Sequence, residues 1–189
     1  LAYFLWASTP DAELMSLAAG DALTDPDVLA AEVDRLLADP RSEDFLSGFL
    51  DSWLTLGELG AQPPDRNAFL DYYQYELDRA MRQETHLFTR HLLDNNLPIT
   101  LFLDADFTFA NPELARFYGI PAPPGSGFQR VSISDRRRGG LLGQASVLTV
   151  TANGIDTSPV VRGVWLLENL LGTPPAAPPA PPSAARARP

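Results

Sequence analysis

"NAFLDYYQYELDRAMRQETHLFTRHLLD", residues 67–94, carries the longest helical pattern in the chain. Apolar side chains recur along it at helical spacing and form one stripe: Phe69, Tyr73, Leu77, Ala80, Phe88 and Leu92. This stripe predicts a single helix from Asn67 to about Asp94 that buries one face in a core. Glu84 falls in the same stripe, so we expect a half-buried acid whose charge an arginine satisfies.

Three shorter helices are predicted before this stretch. In residues 8–20 and 24–40 a capping residue, Ser8 or Thr9 in the first case, precedes a proline at the first helical position. Residues 41–59 form a third helical pattern. Its spacing predicts four buried side chains: Phe45, Phe49, Trp53 and Leu56.

The chain after residue 94 mixes short elements. Residues 97–110 predict a short apolar helix or strand followed by an acidic turn, and Asn111 with Pro112 opens a helix. Residues 128–134 alternate like a strand, whereas residues 141–152 fit either a helix or a strand.

A final capped helix runs into a proline-rich segment. Thr157 or Ser158 caps it, Pro159 opens it and Gly172 ends it. Its spacing predicts a core face made by Val160, Val164, Leu167 and Leu171. A second face carries Arg162, Trp165 and Asn169, which could stack a sugar or a proline or simply pack on the body. Residues 173–189 are expected to be extended.

Composition excludes several classes of function. The formal net charge of −10 and a pI of about 4.5 oppose nucleic-acid binding and attraction to anionic lipid. The chain has no cysteine, so it has no disulfide, thiolate ligand or covalent haem attachment. No apolar run is long enough for a membrane span. The sequence opens without an initiator Met, and we expect it to be a piece of a longer protein.

Three carboxylates are candidates for acid and base chemistry. Glu84 lies on the long helix, and Asp104 and Asp106 flank a turn beside aromatic residues. The alternative for both aspartates is a role in forming the turn. His86 and His91 are five residues apart on a helix, so they do not share a face, and no metal site is expected.

Arginines supply candidate ligand-binding residues. Arg136, Arg137 and Arg138 precede two glycines, a pattern that suits an anion site or a solvated turn paired with the protein's own acids. Arg162, Trp165 and Asn169 form the second candidate group. The common nucleotide, zinc-protease and hydrolase motifs are absent from the sequence.

Three stretches together resemble a known pair of domains: "YFLWASTPDAEL" (3–14), "FLDADFTFANPELARFYGIP" (102–121) and "RRGGLLGQASVLTVTANGIDTSPVVRGVWLLENLLGTPP" (137–175). They are similar to domains of unknown function 1592 and 1588 of planctomycete-type exported proteins, which often carry a c-type cytochrome module. The resemblance implies a periplasmic, cell-envelope or extracellular setting. It also implies that any haem belongs to an associated cytochrome module rather than to this chain.

We therefore predict a mainly α-helical fold: a helical bundle, a small mixed α/β segment and a proline-rich C-terminal strap. The expected divisions are residues 1–120, 121–172 and 173–189. The favoured function is an accessory or scaffold module that positions other domains of a longer parent chain or an extracellular polysaccharide. One alternative is a polysaccharide-acting enzyme that uses the carboxylates. Another is non-covalent haem binding through His86 or His91.

Overall fold

Helices dominate the structure, a computed structural model that describes residues 1–135 and 138–176. The predicted mainly α-helical class is confirmed. The described helices are α1 Ala2–Leu5, α2 Ala12–Ala19, α3 Pro26–Ala38, α4 Ser42–Trp53, α5 Leu70–Gln74, α6 Leu77–Asp94, α7 Leu101–Asp104, α8 Pro112–Tyr118, α9 Ala145–Val150 and α10 Pro159–Trp165. Strands β1 Phe107–Ala110 and β2 Gln129–Ser132 complete the fold. Most of the predicted strap, from residue 177, lies outside the described residues.

The predicted single helix over 67–94 is wrong, because the structure divides it into α5 and α6. Glu76 between them has a φ of 46°, in the left-handed region. That conformation cannot continue a right-handed helix. No glycine or proline marks the break, so the apolar stripe runs through it unchanged.

The start of α2 also differs from its prediction. Asp11, rather than Ser8 or Thr9, caps the helix: its Oδ1 accepts a hydrogen bond from Leu14 N at 2.9 Å. The same carboxylate pairs with Arg35 of α3 at 2.8 Å. Because Asp11 serves both helices, the cap also fixes how α2 lies against α3.

The predicted burial of Leu56, just after α4, is confirmed, but on α4 itself the buried stripe is displaced by one residue. Leu46 and Leu50 are buried, whereas Phe49 is 44% exposed. Phe45, Phe49 and Trp53 instead continue from Phe4 as a row of contacting rings at the edge of the helix. The centroids of this aromatic row (Phe4, Phe45, Phe49 and Trp53) are 4.9, 5.9 and 5.3 Å apart in that order.

The small sheet packs on α6. Strands β1 and β2 are antiparallel, with Phe107 opposite Ser132 and Ala110 opposite Gln129. The predicted helix after Asn111 is confirmed as α8: Asn111 Oδ1 accepts from Leu114 N at 2.9 Å, and Gly119 ends it in the left-handed region, where glycine is unstrained. Residues 141–150 resolve into a short 3₁₀ turn followed by α9.

The predicted core face of α10 is wrong. Val160 is 78% exposed and Leu171 59% exposed. The helix continues as a π-helical turn, Leu166–Leu170. The core-facing side chains are Trp165, Leu166 and Leu170, and the large ring of Trp165, from the predicted second face, fills the core.

Two indole N–H groups join α10 and its π-helical turn to the body. Trp165 Nε1 donates to Thr55 Oγ1 at 3.1 Å, and Trp53 Nε1 donates to Asn169 O at 2.6 Å. One hydrophobic core contains side chains from both parts of the chain: Leu46, Leu50, Leu54, Leu56, Phe88, Leu92, Ala105, Phe107, Leu141, Val147 and Trp165. The helical body and the C-terminal helices therefore share their largest core.

Replacing Trp165 by alanine is expected to lower the free energy of unfolding by about 3–5 kcal/mol, because it leaves a cavity in this core. Urea unfolding followed by circular dichroism measures the loss. Val160→Ala on the exposed side of the same helix is the control and should change stability by less than about 0.5 kcal/mol. Equal midpoints for the two variants would contradict the shared core.

Candidate functional site

A cleft of about 590 Å³ lies between the α5 segment and α9. Its walls are mainly apolar and come from four helices and one loop: Phe69, Leu70, Tyr72, Met81, Phe117, Ala145, Leu148 and Ile155. A volume of this size accommodates a small organic molecule.

Two loops close one end of the cleft. Asp65 N donates to Gly154 O at 2.8 Å, and Asn153 Oδ1 accepts from Asp156 N at 2.7 Å. Gly154 has a φ of 84°, and a Cβ there would lie 2.9 Å from Pro63 O. Glycine is therefore required for the loops to meet.

Two arginines from different parts of the sequence reach the cleft. Arg162 Nε donates to Thr151 Oγ1 at 3.0 Å, and its Nη2 donates to Leu148 O at 3.3 Å. The Cζ of Arg138 lies 4.7 Å from the ring centroid of Tyr118. Both side chains line the cleft, which brings together one residue from each predicted arginine group.

A buried carboxylate lies behind this wall. Glu84 is 1% exposed; it accepts hydrogen bonds from Thr108 Oγ1 at 2.5 Å and from the Tyr118 hydroxyl. That hydroxyl accepts in turn from Ala145 N at 2.7 Å. The expected half-buried acid is thus fully buried, and hydroxyl groups satisfy it in place of the expected arginine.

Burial raises the pKa of Glu84 to about 7, although its two hydrogen bonds and the charge of Arg138 act in the opposite direction. Burial and the neighbouring carboxylate also raise the pKa of Tyr118 well above its ordinary value. The Glu84 cluster can therefore hold or release a proton near neutral pH.

A second polar group joins α6 to α9. Thr85 Oγ1 donates to Gln144 Oε1 at 2.8 Å and lies 2.7 Å from Ser146 Oγ. Gln144 Nε2 and the Tyr72 hydroxyl are buried without a hydrogen-bond partner among the described residues. Such groups are costly to leave unpaired.

The other candidate carboxylates lie elsewhere. Asp104 at the end of α7 and Asp106 just before β1 are both exposed, whereas Glu84 is internal. None of the three is among the lining residues of the three clefts described in this section. The structure does not gather them at one open surface.

The remaining predicted residues are mostly engaged in packing. Trp165 is buried, and Asn169 Nδ2 donates to Trp165 O at 3.0 Å, so these two do not join Arg162 at the cleft. Arg136 and Arg137 lie outside the described residues.

The two histidines occupy separate surroundings. His86 Nδ1 lies 3.5 Å from Glu43 Oε1, at the edge of a second cleft of about 410 Å³ whose lining is mostly charged and polar. The His91 ring contacts Phe107 and Phe109 at centroid distances of 5.4 and 5.5 Å. Within residues 1–135 and 138–176, no three histidine, aspartate or glutamate side chains are grouped closely enough to hold a metal ion.

A third, shallower groove of about 310 Å³ adjoins the aromatic row. Phe45 and Phe49 form one side, and Leu93 and Ile99 lie on the other. Phe4 and Ile99 are 67% and 77% exposed. Contiguous exposed apolar surface of this kind is typical of protein contact sites.

Several residues around the buried acid carried no sequence signal. Thr108, Tyr118 and Tyr72 look like ordinary strand or helix residues in an apolar context. Only Glu84, an acid within an apolar stripe, pointed to the cluster. Its partners could not be named because they lie 24 and 34 residues away in the chain.

These features define a helical module in which a C-terminal segment completes the core of an N-terminal body. None of the helices in the described ranges is both long and apolar enough to cross a membrane. The chain belongs to the family described as protein of unknown function DUF1592 (PSD4), whose model matches residues 1–120. Residues 138–188 match the model of the protein of unknown function DUF1588 (PSCyt3). Comparisons with curated proteins and with solved structures gave no match.

The raised pKa of Glu84 predicts a pH-dependent stability. Its folded pKa of about 7 exceeds its ordinary value of 4.5, so the folded state binds this proton more tightly than the unfolded state. The contribution of this bound proton to the free energy of unfolding is complete below pH 4.5 and is lost as pH rises through about 7. The free energy of unfolding should therefore fall by about 3 kcal/mol between pH 5 and 8.

Urea unfolding across this pH range tests the prediction. Glu84→Gln removes the titrating group and should flatten the profile, whereas Glu58→Gln, at an exposed position, should keep the wild-type slope. An unchanged slope in Glu84→Gln would show that another group titrates.

Proposed function

We propose that this chain is an accessory scaffold module of a large exported, cytochrome-linked protein. It holds partner domains through exposed apolar surface and has no turnover of its own. The resemblance to planctomycete-type proteins supports a setting in the periplasm, cell envelope or extracellular space. The name PSCyt3 of the second matching family supports the link to a cytochrome.

The observation that carries this proposal is the aromatic row with its adjoining groove. Phe4 and Phe49 expose their rings on a chain with a net charge of −10, where solvent-facing positions are otherwise rich in acids. Clustered exposed rings lose contact with water when a partner covers them, which is a favourable change. The groove beside them supplies a concave surface for a partner's apolar side chains.

The packing of the C-terminal segment supports the same function. Trp165 and Asn169 belong to the region that matches the second family, and they bond to residues of the first. The part of the second matching region around Trp165 and Asn169 is therefore held at a fixed position relative to the helical body. Such fixed placement is what a scaffold provides.

The enzyme and haem alternatives receive less support. Glu84 is buried and enclosed by Thr108 and Tyr118, and Asp104 and Asp106 are exposed. A glycosidase needs two carboxylates about 5–10 Å apart at one open site. His86 lies at the edge of a charged and polar cleft, which does not resemble an apolar haem pocket.

Binding of a basic monohaem c-type cytochrome to the full chain tests the proposal. Isothermal titration at moderate salt should give saturable binding that Phe49→Ser weakens at least tenfold. Val160→Ser, which changes a more exposed apolar side chain on α10, should bind like the wild type.

A basic protein without haem, matched in size and charge, controls for simple charge attraction. Equal binding of both proteins, or of Phe49→Ser and wild type, would contradict the scaffold proposal. Release of reducing ends from polysaccharide by the isolated chain, abolished in Glu84→Gln, would favour the enzyme instead.

A further inference from the structure

The charges of the 590 Å³ cleft are unevenly placed. Arg138 and Arg162 are half-buried in its walls, whereas Asp71 and Asp156 are exposed at its rim. Solvated carboxylates are screened by water and salt, so they act weakly on a ligand inside. The cleft interior therefore favours negative charge.

Neither arginine is neutralised at close range. Among the described residues, the ion pairs within 4.0 Å involve other arginines and His86. Arg162 bonds to a threonine hydroxyl and a carbonyl, and Arg138 lies over the Tyr118 ring. These contacts fix the orientation of each guanidinium, and no carboxylate among the described residues lies within 4.0 Å of either one. Arg138 also interacts electrostatically with the buried Glu84, and each guanidinium retains N–H groups for an oxyanion.

We propose that this cleft binds an organic oxyanion with an apolar body. The carboxylate, phosphate or sulfate group pairs with Arg138 and Arg162, and the body lies against Phe69, Met81 and Leu148. This site goes beyond the scaffold function, since it lies between α5 and α9 and not at the aromatic row.

The lining chemistry determines the ligand class. A purely polar anion such as sulfate would leave the apolar walls in contact with water, and a neutral lipid would leave both guanidinium groups unpaired. An amphipathic anion satisfies both parts of the wall.

Isothermal titration of the full chain with matched ten-carbon probes tests the proposal. Decanoate and decyl phosphate, below their micellar concentrations, should bind saturably, and the tighter of the two identifies the preferred headgroup. Decanol and acetate, which lack the charge and the chain respectively, should each bind at least tenfold more weakly. Equal binding of decanol and decanoate would overturn the role of the arginines.

Variants locate the binding to this cleft. Arg162→Gln and Arg138→Gln should each weaken decanoate binding by about tenfold or more, because each removes charge-assisted hydrogen bonds. Arg79→Gln is the matched control, since Arg79 is exposed, pairs with Glu76 and lies outside the cleft. Circular dichroism checks that every variant is folded.

A variant that keeps both arginines covers the case in which their replacement disturbs folding. Ala68 lines the cleft at an exposed turn, so Ala68→Trp should fill the space and abolish binding without touching the charges. Unchanged decanoate binding in Ala68→Trp would overturn the proposal. A failure of all probes to bind would also overturn it and would leave the cytochrome experiment on the aromatic row unaffected.

Discussion

The structure is organised around one buried carboxylate. A charge or a polar acid inside a protein must have hydrogen-bond partners, so Glu84 requires donors from whatever packs against α6. The donors are Thr108 of β1 and Tyr118 of α8, and the Tyr118 hydroxyl in turn accepts from the first residue of α9, Ala145. Elements α6, β1 and α8 therefore meet at Glu84, and Tyr118 links α9 to them.

The same cluster positions the proposed ligand cleft. Ala145 and Arg138 contact Tyr118 from the cleft side, while Glu84 contacts it from the core side. The cleft wall is therefore connected to a group whose pKa is raised to about 7. The aromatic row lies on the edge of α4, which adds an apolar contact surface to the same body.

The sequence indicated the class of fold well, because capping residues and apolar stripes are local signals. Asn111 and Pro112 open α8 as predicted. The errors arose where tertiary packing outweighs a local pattern. Glu76 breaks a helix without a glycine or proline, and Trp165 rather than Val160 faces the core. Arg162 was a candidate from the start, but its place in the same cleft as Arg138 depends on the whole chain folding.

The shared core has a consequence for synthesis on the ribosome. Thr55 of the body bonds to Trp165, a residue made 110 positions later. At about 5–20 residues per second, the leucines of α4 wait roughly 5–20 s for the helices that cover them. During that time the nascent chain presents an incomplete apolar surface. We therefore expect a chain of this family to need a holding chaperone until its C-terminal helices emerge.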